Sequence, residues 1–367
     1  MGTDRHAESM RRIGVPLLLV AGLLVATPAH AAPAPSPAPL PRPPVTRPAP
    51  VVVAPTSITF AFGGDTHFER GLARLAAPGV RIPALTALLG SADVSMLNLE
   101  TAVTTRGTPQ AKKWQFRVAP PVLGNLAASG VDVVSMANNH SADYGAVGVA
   151  DSIAARARYA SRIGVVGFGR TIGDAFAPWV KVVRGTRVAV FGATSITDLT
   201  TSKFPATSTR AGVASVVSSS GLARLAAGVR TEHARGAVVV VYLHWGDEHV
   251  SVPNARQRSI AAALVRAGAQ IVVGSHAHEL QGAGRSGRSV VAYGMGNFVW
   301  YHRATFVEGH SGVLHVTVTG GRVSAASFTP TATGADNLPH ADAAALARQE
   351  RARLASLTRR AGLTPLA

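Results

Sequence analysis

The sequence predicts an α/β fold with mixed β-sheets. Short runs rich in valine and isoleucine recur along the chain, and several follow a helix-like segment that ends at glycine or in a short polar stretch. Near the end of the chain, two alternating segments flank Gly320 and Gly321, which is typical of an antiparallel hairpin, so the sheets are not expected to be purely parallel. The runs predicted as strands are Ile58–Phe62, Val94–Leu97, Val131–Met136, Val188–Phe191, Val238–Leu243, Ile271–Val273 and Val290–Tyr293.

Helices are predicted between several of these strands. Gly130 and Gly268 each follow an apolar helix-like segment, and glycine is the preferred residue just past a helix end. An alanine- and arginine-rich segment predicts a C-terminal packing helix over about residues 342–360. The internal segments predicted as helical are Pro121–Ser129, Ile153–Arg162 and Ser259–Ala267, and the hairpin strands are Ser311–Thr319 and Arg322–Thr329.

Length and composition indicate a folded chain without cysteine chemistry. The 367 residues are enough for one large domain or two ordinary ones, and 47% hydrophobic residues allow a substantial core. There are no cysteines, which excludes disulfides and thiolate metal sites. Any metal must therefore bind histidine, aspartate, glutamate or asparagine.

The chain is strongly basic, with a formal net charge of +17 that comes almost entirely from arginine. The arginines are scattered and lack the interleaved aromatic residues of single-strand binders, so we predict no specific nucleic-acid partner. Two explanations of the charge stay open. One is non-specific attraction to an anionic cell-envelope polymer, and the other is a compositional bias without a partner.

The N-terminal segment is predicted to direct export. Arginines precede an apolar run from Ile13 to Val25, and Ala29-His30-Ala31 matches a small-x-small cleavage site, which is typical of a secretory signal peptide. Left uncleaved, the same segment would act as a membrane anchor. We therefore expect a secreted or cell-envelope-associated protein. The predicted organisation is a signal peptide at 1–31, an Ala/Pro-rich linker at 32–55, the main domain at 56–333 and a C-terminal helix segment at 334–367.

Polar side chains follow five of the predicted strands, at the end where each strand stops. Open α/β sheets place their sites at the carboxyl ends of strands, and polar groups buried there need hydrogen-bond or metal partners. In extended backbone, residues two apart face the same side, so each Asp-x-His or His-x-His pair would face one ion. Nitrogen and oxygen ligands without sulfur suit Mn, Fe or Zn. The candidate ligands are Asp65, His67, Glu100, Asn139, His244, His276 and His278, with His140 beside them.

Together, these motifs resemble the calcineurin-like metallophosphoesterase superfamily, and within it the CapA-type family of poly-γ-glutamate capsule-synthesis proteins. The resemblance covers about residues 58–301. It implies a metallophosphoesterase-like layered αββα sandwich with mixed sheets and a metal site at the carboxyl ends of the strands. The motifs that carry it are GGDTHFER at Gly63–Arg70, NLET at Asn98–Thr101, ANNHSADYG at Ala137–Gly145, HWGDE at His244–Glu248, GSHAHELQG at Gly274–Gly282 and YGMGNFVW at Tyr293–Trp300.

The resemblance also implies how two divalent transition metals would be held. His140 would act beside them as a proton donor to a leaving group or as an electrostatic stabiliser. Glutamate stands at the bridging position, where the superfamily usually has aspartate. The implied assignment is Asp65, His67 and His278 to one metal, Asn139, His244 and His276 to the other, and Glu100 to the bridge.

Three further residues are predicted to contact substrate or to support the ligands. Asn98 lies in the NLE motif, and Asn297 in GMGNF either shapes the loop or contacts substrate. No acid directly follows His140, so Asp143 either orients an imidazole or caps the next helix. The acids that follow His244 in HWGDE either support the ligands or are solvated loop residues, and the second is favoured.

These features predict a metal-dependent hydrolase or transferase that acts in the synthesis or processing of poly-γ-glutamate or another anionic cell-envelope polymer. Membrane synthase components are expected as further partners. Two alternatives stay open. The first is a non-catalytic capsule-assembly component that binds polymer at this site, and the second is a secreted metallophosphoesterase acting on nucleotides.

Overall fold

The computed structural model describes residue 34 and residues 56–301 and 305–366. The predicted signal peptide and, apart from residue 34, the predicted linker lie outside these described residues. Across the described part of the chain, no helix combines the length and the apolar composition that crossing a membrane requires.

Within the described residues, strands form two large sheets and two two-stranded ones. The strands are β1 (Ser57–Thr66), β2 (Val94–Leu99), β3 (Ala102–Val103), β4 (Arg117–Val118), β5 (Val133–Ser135), β6 (Gly164–Val166), β7 (Phe168–Gly169), β8 (Trp179–Val183), β9 (Thr186–Thr194), β10 (Gly212–Val213), β11 (Val238–His244), β12 (Ile271–Ser275), β13 (Ala283–Ser286), β14 (Ser289–Ala292), β15 (Asn297–Val299), β16 (His310–Thr319), β17 (Arg322–Thr333), β18 (Pro339–Ala341) and β19 (Thr364–Pro365).

The helices connect these strands and end largely as the sequence predicts. The third helix begins earlier than predicted. The seventh also begins earlier, because the Asn254 side chain accepts a hydrogen bond from the Gln257 N–H and completes a capping box. Gly268 ends the seventh helix in the left-handed conformation, with φ 108°. The helices are α1 (Pro83–Leu89), α2 (Val122–Ala128), α3 (Gly145–Tyr159), α4 (Ile172–Ala175), α5 (Leu199–Lys203), α6 (Ser219–Ala234), α7 (Ala255–Ala267) and α8 (Ala344–Arg360), with a 3-10 helix at Arg70–Ala76.

The first large sheet joins an antiparallel half to a parallel half, and the second has a parallel centre with antiparallel pairs at both ends. The first runs in the order β18-β17-β16-β1-β2-β5-β6, and β15 also pairs with β1. The second runs in the order β19-β13-β14-β12-β11-β9-β8. Parallel pairing holds β1-β2-β5-β6 together in the first sheet and β9-β11-β12-β14 in the second. The predicted mixed sheets are therefore confirmed.

Successive side chains along each strand point to opposite faces of the sheet. One face of each large sheet packs against the other sheet, and the outer face is covered by helices. In β11, Val240 and Tyr242 lie in the apolar cluster between the sheets, while Val239 and Val241 pack in the cluster that includes α6 and α7. Helices α1, α2 and α3 contribute to the corresponding cluster on the first sheet. Each fully buried valine stabilises the fold by about 1.5–3 kcal/mol relative to an exposed one. The predicted αββα sandwich is confirmed.

The C-terminal part of the chain packs onto both sheets. β16 and β17 form the predicted hairpin, and Gly320 and Gly321 at its turn have φ angles of 57° and 76°. Paired left-handed residues give a two-residue turn whose twist matches the strands. The predicted C-terminal helix is α8. The segment around it also supplies β18 to the first sheet and β19 to the second.

Candidate metal centre

The candidate ligands lie where parallel strands of both large sheets end. Asp65 is near the carboxyl end of β1, and Glu100 directly follows β2 in the same sheet. His244 ends β11, and His276 directly follows β12 in the second sheet. The structure therefore brings acids of one sheet together with imidazoles of the other.

Close backbone contacts fix the position of Asp65. A Cβ atom at Gly64 would overlap the carbonyl oxygen of Gly296, so the approach of β1 to the residues before β15 requires glycine there. This approach sets Asp65 opposite Asn297 in parallel register. On its other side, Asp65 Oδ2 accepts a hydrogen bond from the backbone N–H of His276 at 3.0 Å. Asp65 thus links the two sheets at the site.

The two carboxylates of the site are completely buried and close to each other. Asn98 Nδ2 lies 2.8 Å from Asp65 Oδ1 and 3.3 Å from Glu100 Oε2, so this amide holds both acids. Glu100 Oε1 is buried without a hydrogen-bond partner. Burial, and then the nearby Asp65 charge, raise the pKa of Glu100 from 4.5 to about 8. Without a cation, Glu100 therefore keeps its proton at pH 7, and a bound cation would favour the charged form.

Electron-pair donors converge on His244. Its Nε2 atom lies 2.7 Å from Asn139 Oδ1, 3.1 Å from His276 Nδ1 and 3.4 Å from Glu100 Oε1. Burial lowers the pKa of His244 to about 4, and burial lowers the pKa of His276 well below its ordinary value. Both rings are therefore neutral at pH 7, which is the protonation state that binds metals.

His276 and His278 reach the site from strained backbone. Their φ angles are 92° and 57°, so both lie in the left-handed region, and β12 has already ended at Ser275. The expectation that the pair shares a face of an extended strand is therefore wrong, although both rings do reach Glu100. Left-handed residues other than glycine cost on the order of 1–3 kcal/mol each and collect at functional sites.

Asn297 holds the ring of His278. His278 Nδ1 donates to Asn297 Oδ1 at 2.9 Å, and Asn297 Nδ2 donates to the carbonyl of Glu308 at 3.3 Å. With the proton on Nδ1, the Nε2 atom of a neutral His278 carries a free lone pair. A second hydrogen bond of this kind fixes the tautomer and the ring orientation of metal-binding histidines.

His67 lies beside the cluster in an aromatic setting. Its ring stacks on Phe116 at 4.7 Å between centroids and meets the edge of Trp300 at 4.1 Å. The Glu69 N–H donates to His67 Nδ1 at 3.1 Å, and His67 Nε2 is buried without a partner. Burial lowers the pKa of His67 well below its ordinary value. In this arrangement the neutral ring carries its proton on Nε2, so an ion at Nε2 requires release of the Glu69 contact.

His140 and Asp143 form a pair at the edge of the centre. His140 Nδ1 donates to Asp143 Oδ2 at 2.6 Å, and His140 Nε2 points to Glu100 Oε1 at 3.9 Å. Asp143 Oδ2 also accepts from the Phe116 N–H at 2.8 Å. The residue at the N-cap of α3 is Tyr144, so Asp143 contacts the imidazole and does not cap the helix.

Two groups of side chains place acid and imidazole ligand atoms within 4.8 Å of one another among the described residues. Glu100 belongs to both, which is the position that the resemblance assigns to a bridge. The grouping otherwise differs from the implied assignment, because it puts His276 with His278 and leaves His67 out. The groups are Glu100, His276 and His278, and Asp65, Glu100 and His244. Neutral imidazoles, two buried acids and a carboxyl oxygen without a hydrogen-bond partner fit a divalent transition metal.

Two cavities open beside the centre. One, of about 260 Å³, is lined by His140 and His278 and by aromatic residues that include Trp114 and Trp300. The other, of about 460 Å³, is lined by His276 and by polar residues. Glu248 lines both. Asp247 and Glu248 are exposed, as the sequence predicts.

The sequence matches the model of one protein family. Its profile, described as "Bacterial capsule synthesis protein PGA_cap", matches residues 59–302. The chain belongs to this family. It is 34% identical over 172 residues to the capsule biosynthesis protein CapA of Bacillus anthracis, with 47% of this chain and 41% of that protein covered. It is also 34% identical over 169 residues to the PGA biosynthesis protein CapA of Bacillus subtilis (strain 168), with 46% and 42% covered.

The match to the capsule-synthesis family contains every residue of the candidate metal centre, whereas the chain spans about two fifths of the length of these curated relatives. Solved structures that the chain is similar to include a hypothetical protein from Thermus thermophilus, at 18% identity and a TM-score of 0.46, covering 74% of this chain and 98% of that one. A second is the Thermus thermophilus sulfate thiohydrolase SoxB, at 15% identity and a TM-score of 0.41, covering 78% of this chain and 49% of that one.

Several residues that support the centre of this capsule-synthesis family member escaped the sequence analysis. Ser275 Oγ lies 2.8 Å from His244 Nδ1, and Asn138 Oδ1 accepts from the His140 N–H at 3.0 Å. Lys112 Nζ lies 2.8 Å from Asp143 Oδ1. One signal for Lys112 existed, because lysine is rare in a chain whose positive charge is nearly all arginine.

Proposed function

We propose that this capsule-synthesis family member is a metal-dependent hydrolase or transferase that acts on a cell-envelope polymer. The observation that carries the proposal is Glu100, which is shared by two acid–imidazole groups and lies beside the His140–Asp143 pair. A site used only to bind polymer has no need of an imidazole held at its edge by a buried carboxylate. The names of the relatives support capsule biosynthesis as the setting. An anionic polymer such as poly-γ-glutamate is the substrate class that we propose from the sequence motifs.

Two divalent transition metals, Mn, Fe or Zn, would be held at this centre. When bound, such ions supply Lewis-acid chemistry, which provides a nucleophile at neutral pH and neutralises the charge that develops on a phosphoryl or carbonyl group. The proposed ligands are Asp65, His67 and His278 for one ion and Asn139, His244 and His276 for the other, with Glu100 between them.

The protein's own groups would orient the centre and deliver a proton. Asn98 keeps Asp65 and Glu100 side by side. The Asp143 carboxylate accepts from His140 Nδ1, which fixes the ring orientation and aims Nε2 towards the centre. His140 Nε2 would then give its proton to the leaving group.

The proposed place of action is outside the cytoplasm, at the cell envelope. The sequence features behind it are the predicted signal peptide and Ala/Pro-rich linker, which lie outside the described residues apart from residue 34. We further propose membrane synthase components as partners. Both proposals call for fractionation of cells that express the full chain, and recovery of the protein in the cytoplasm would refute the first.

The test of the catalytic proposal starts with metal analysis of the purified chain, followed by a substrate panel. We expect one to two equivalents of transition metal per chain, and turnover of at least one substrate among phosphomonoesters, phosphodiesters and γ-glutamyl polymer. A centre that stays empty after incubation with Mn, Fe and Zn would refute the metal-dependent enzyme. Bound metal and polymer without any turnover would favour the non-catalytic assembly component, and turnover confined to nucleotides would favour a metallophosphoesterase.

A further inference from the structure

Lys112 extends from the loop between β3 and β4 to the rear of the metal centre. Its side chain is 12% exposed, and its Nζ atom donates to Asp143 Oδ1 at 2.8 Å and to the carbonyl oxygen of Asn139. Nζ also lies 3.0 Å from Asp198 Oδ2, as an ion pair without the alignment of a hydrogen bond. One ammonium group thus contacts three separate groups.

Two of the groups that Lys112 contacts belong to the proposed centre. Asp143 holds His140 through its other oxygen, at 2.6 Å. The backbone carbonyl of Asn139 accepts from Lys112 and from Thr200 Oγ1, the latter at 2.6 Å, while the Asn139 side chain contacts His244. The peptide between Asn139 and His140 is therefore held from behind.

The third group anchors the lysine to a separate element. Asp198 is the N-cap of α5, and its Oδ1 atom accepts from the Thr200 and Thr201 N–H groups at 2.9 and 3.1 Å. Its other oxygen faces Lys112. Through Asp198 and Thr200, the start of α5 is tied to the same ammonium and the same carbonyl.

The neighbouring lysine shows that this arrangement is specific to one position. Lys113 is exposed, and its Nζ atom lies 5.5 Å from the centroid of the Trp114 ring. The two residues carry the same charge next to each other in sequence, yet only Lys112 lies between two carboxylates. A buried carboxylate that loses its partner is costly, so the Lys112 ammonium is needed to hold the fully buried Asp143 in place.

We propose that Lys112 is a positioning residue of the metal centre, which fixes Asn139 as a ligand and the Asp143–His140 pair as a proton donor. The proposal rests on the proposed function for these two roles. Its geometric part, the restraint of His140 by Lys112 through Asp143, stands without a metal.

Whether metal affinity rises or falls when Lys112 is removed distinguishes a positioning role from a purely electrostatic one. A positive charge beside a cation site repels the cation, so removal of Lys112 would tighten metal binding if its charge were all that mattered. If Lys112 positions Asn139 and His140, its removal weakens binding instead. Loss of a hydrogen-bonding support behind a ligand typically lowers metal affinity about 10–100-fold.

The experiment compares Lys112→Met, Lys112→Arg and the matched control Lys113→Met in the full chain. Affinity for Mn and Zn is measured by competition with a chelator. The His140 Nδ1–H signal is followed by NMR of the metal-free protein with isotope-labelled histidine. We expect Lys112→Met to weaken metal binding about tenfold or more and to shift or broaden the His140 signal. Lys112→Arg should retain part of the metal affinity and part of the His140 signal of the unmodified chain. Lys113→Met should leave the His140 signal in place and should not weaken metal binding.

Two outcomes overturn the proposal. One is metal affinity in Lys112→Met equal to or tighter than in the unmodified chain, and the other is an unchanged His140 signal. If the unmodified chain binds no metal, the proposed function fails while the NMR signal still decides the geometric part. If Lys112→Met does not fold, Asp198→Asn replaces it, because asparagine keeps the N-cap of α5 and removes the charge that faces Lys112. Unchanged metal affinity and an unchanged His140 signal in Asp198→Asn would then refute the anchoring.

Discussion

Replacing Glu100 by glutamine should make the metal-free protein more stable at neutral pH. The carboxyl group is completely buried beside Asp65, and its pKa is raised from 4.5 to about 8. A folded-state pKa above the unfolded value means that the folded protein keeps a proton that the unfolded chain has released. The contribution of this group to stability therefore falls as the pH rises from about 4.5 to about 8, and is constant outside that window.

The size of the effect follows from the same shift. Each pH unit inside the window costs about 1.4 kcal/mol, so this carboxyl group destabilises the folded state by roughly 3 kcal/mol at pH 7. Glutamine has nearly the same shape and carries no charge, and its oxygen can still accept from Asn98. Glu100→Gln should therefore recover most of that free energy at pH 7 and almost none of it at pH 4.5.

Urea unfolding in the presence of a chelator, at several pH values between 4.5 and 8.5, measures this difference. Glu248→Gln is the matched control, because Glu248 is an exposed acid beside the same centre and should change stability little at any pH. When Mn or Zn is added, the unmodified chain should become the more stable of the two proteins. A bound metal stabilises the native state, and Glu100→Gln lowers the affinity of the centre for that metal. The reasoning is refuted if metal-free Glu100→Gln is less stable than the unmodified chain at pH 8, or if the difference does not depend on pH.

Three other substitutions test the remaining parts of the centre. His276→Ala should lose most of the bound metal by elemental analysis, and full retention would remove His276 from the ligand set. His140→Ala should keep the metal and lower turnover about 10²–10⁴-fold, whereas full activity would disprove the proton-donor role. Asn297→Ala should weaken metal binding about 10–100-fold, because it frees the His278 ring that Asn297 orients. Unchanged metal affinity would show that this hydrogen bond only shapes the loop.

Much of the fold could be predicted from sequence, because the evidence for it is local. A fully buried strand such as β11 is a continuous apolar run, and the left-handed pair Gly320–Gly321 marks the hairpin turn. Very short strands such as β6 left no comparable pattern and were missed. The start of α7 was placed too late, since its capping box depends on side-chain hydrogen bonds that apolar periodicity does not reveal.

The candidate site was predictable in its members and less so in its geometry. Polar groups at the ends of apolar strands are easy to recognise in the sequence, because a buried polar group requires a hydrogen-bond or metal partner. Their spacing suggested extended backbone at His276 and His278, and the structure instead has left-handed residues held by contacts from distant segments. Lys112 shows the same limit, because its role depends on Asp143 and Asp198, which lie 31 and 86 positions away in the sequence.

Under the proposed function, the metals also decide which substrates can enter. The chain as a whole carries a formal net charge of +17, which attracts anionic polymers over long range at low ionic strength. His244 and His276 bring no positive charge to the metal-free centre, because burial keeps both rings neutral beside the acids Asp65 and Glu100. An anionic polymer drawn to the surface would therefore gain no attraction from these rings, and divalent ions would supply positive charge at the point of reaction. A polyanionic substrate should then bind the metal-free chain weakly and in a strongly salt-dependent manner, and productive engagement of the cleft should follow metal loading.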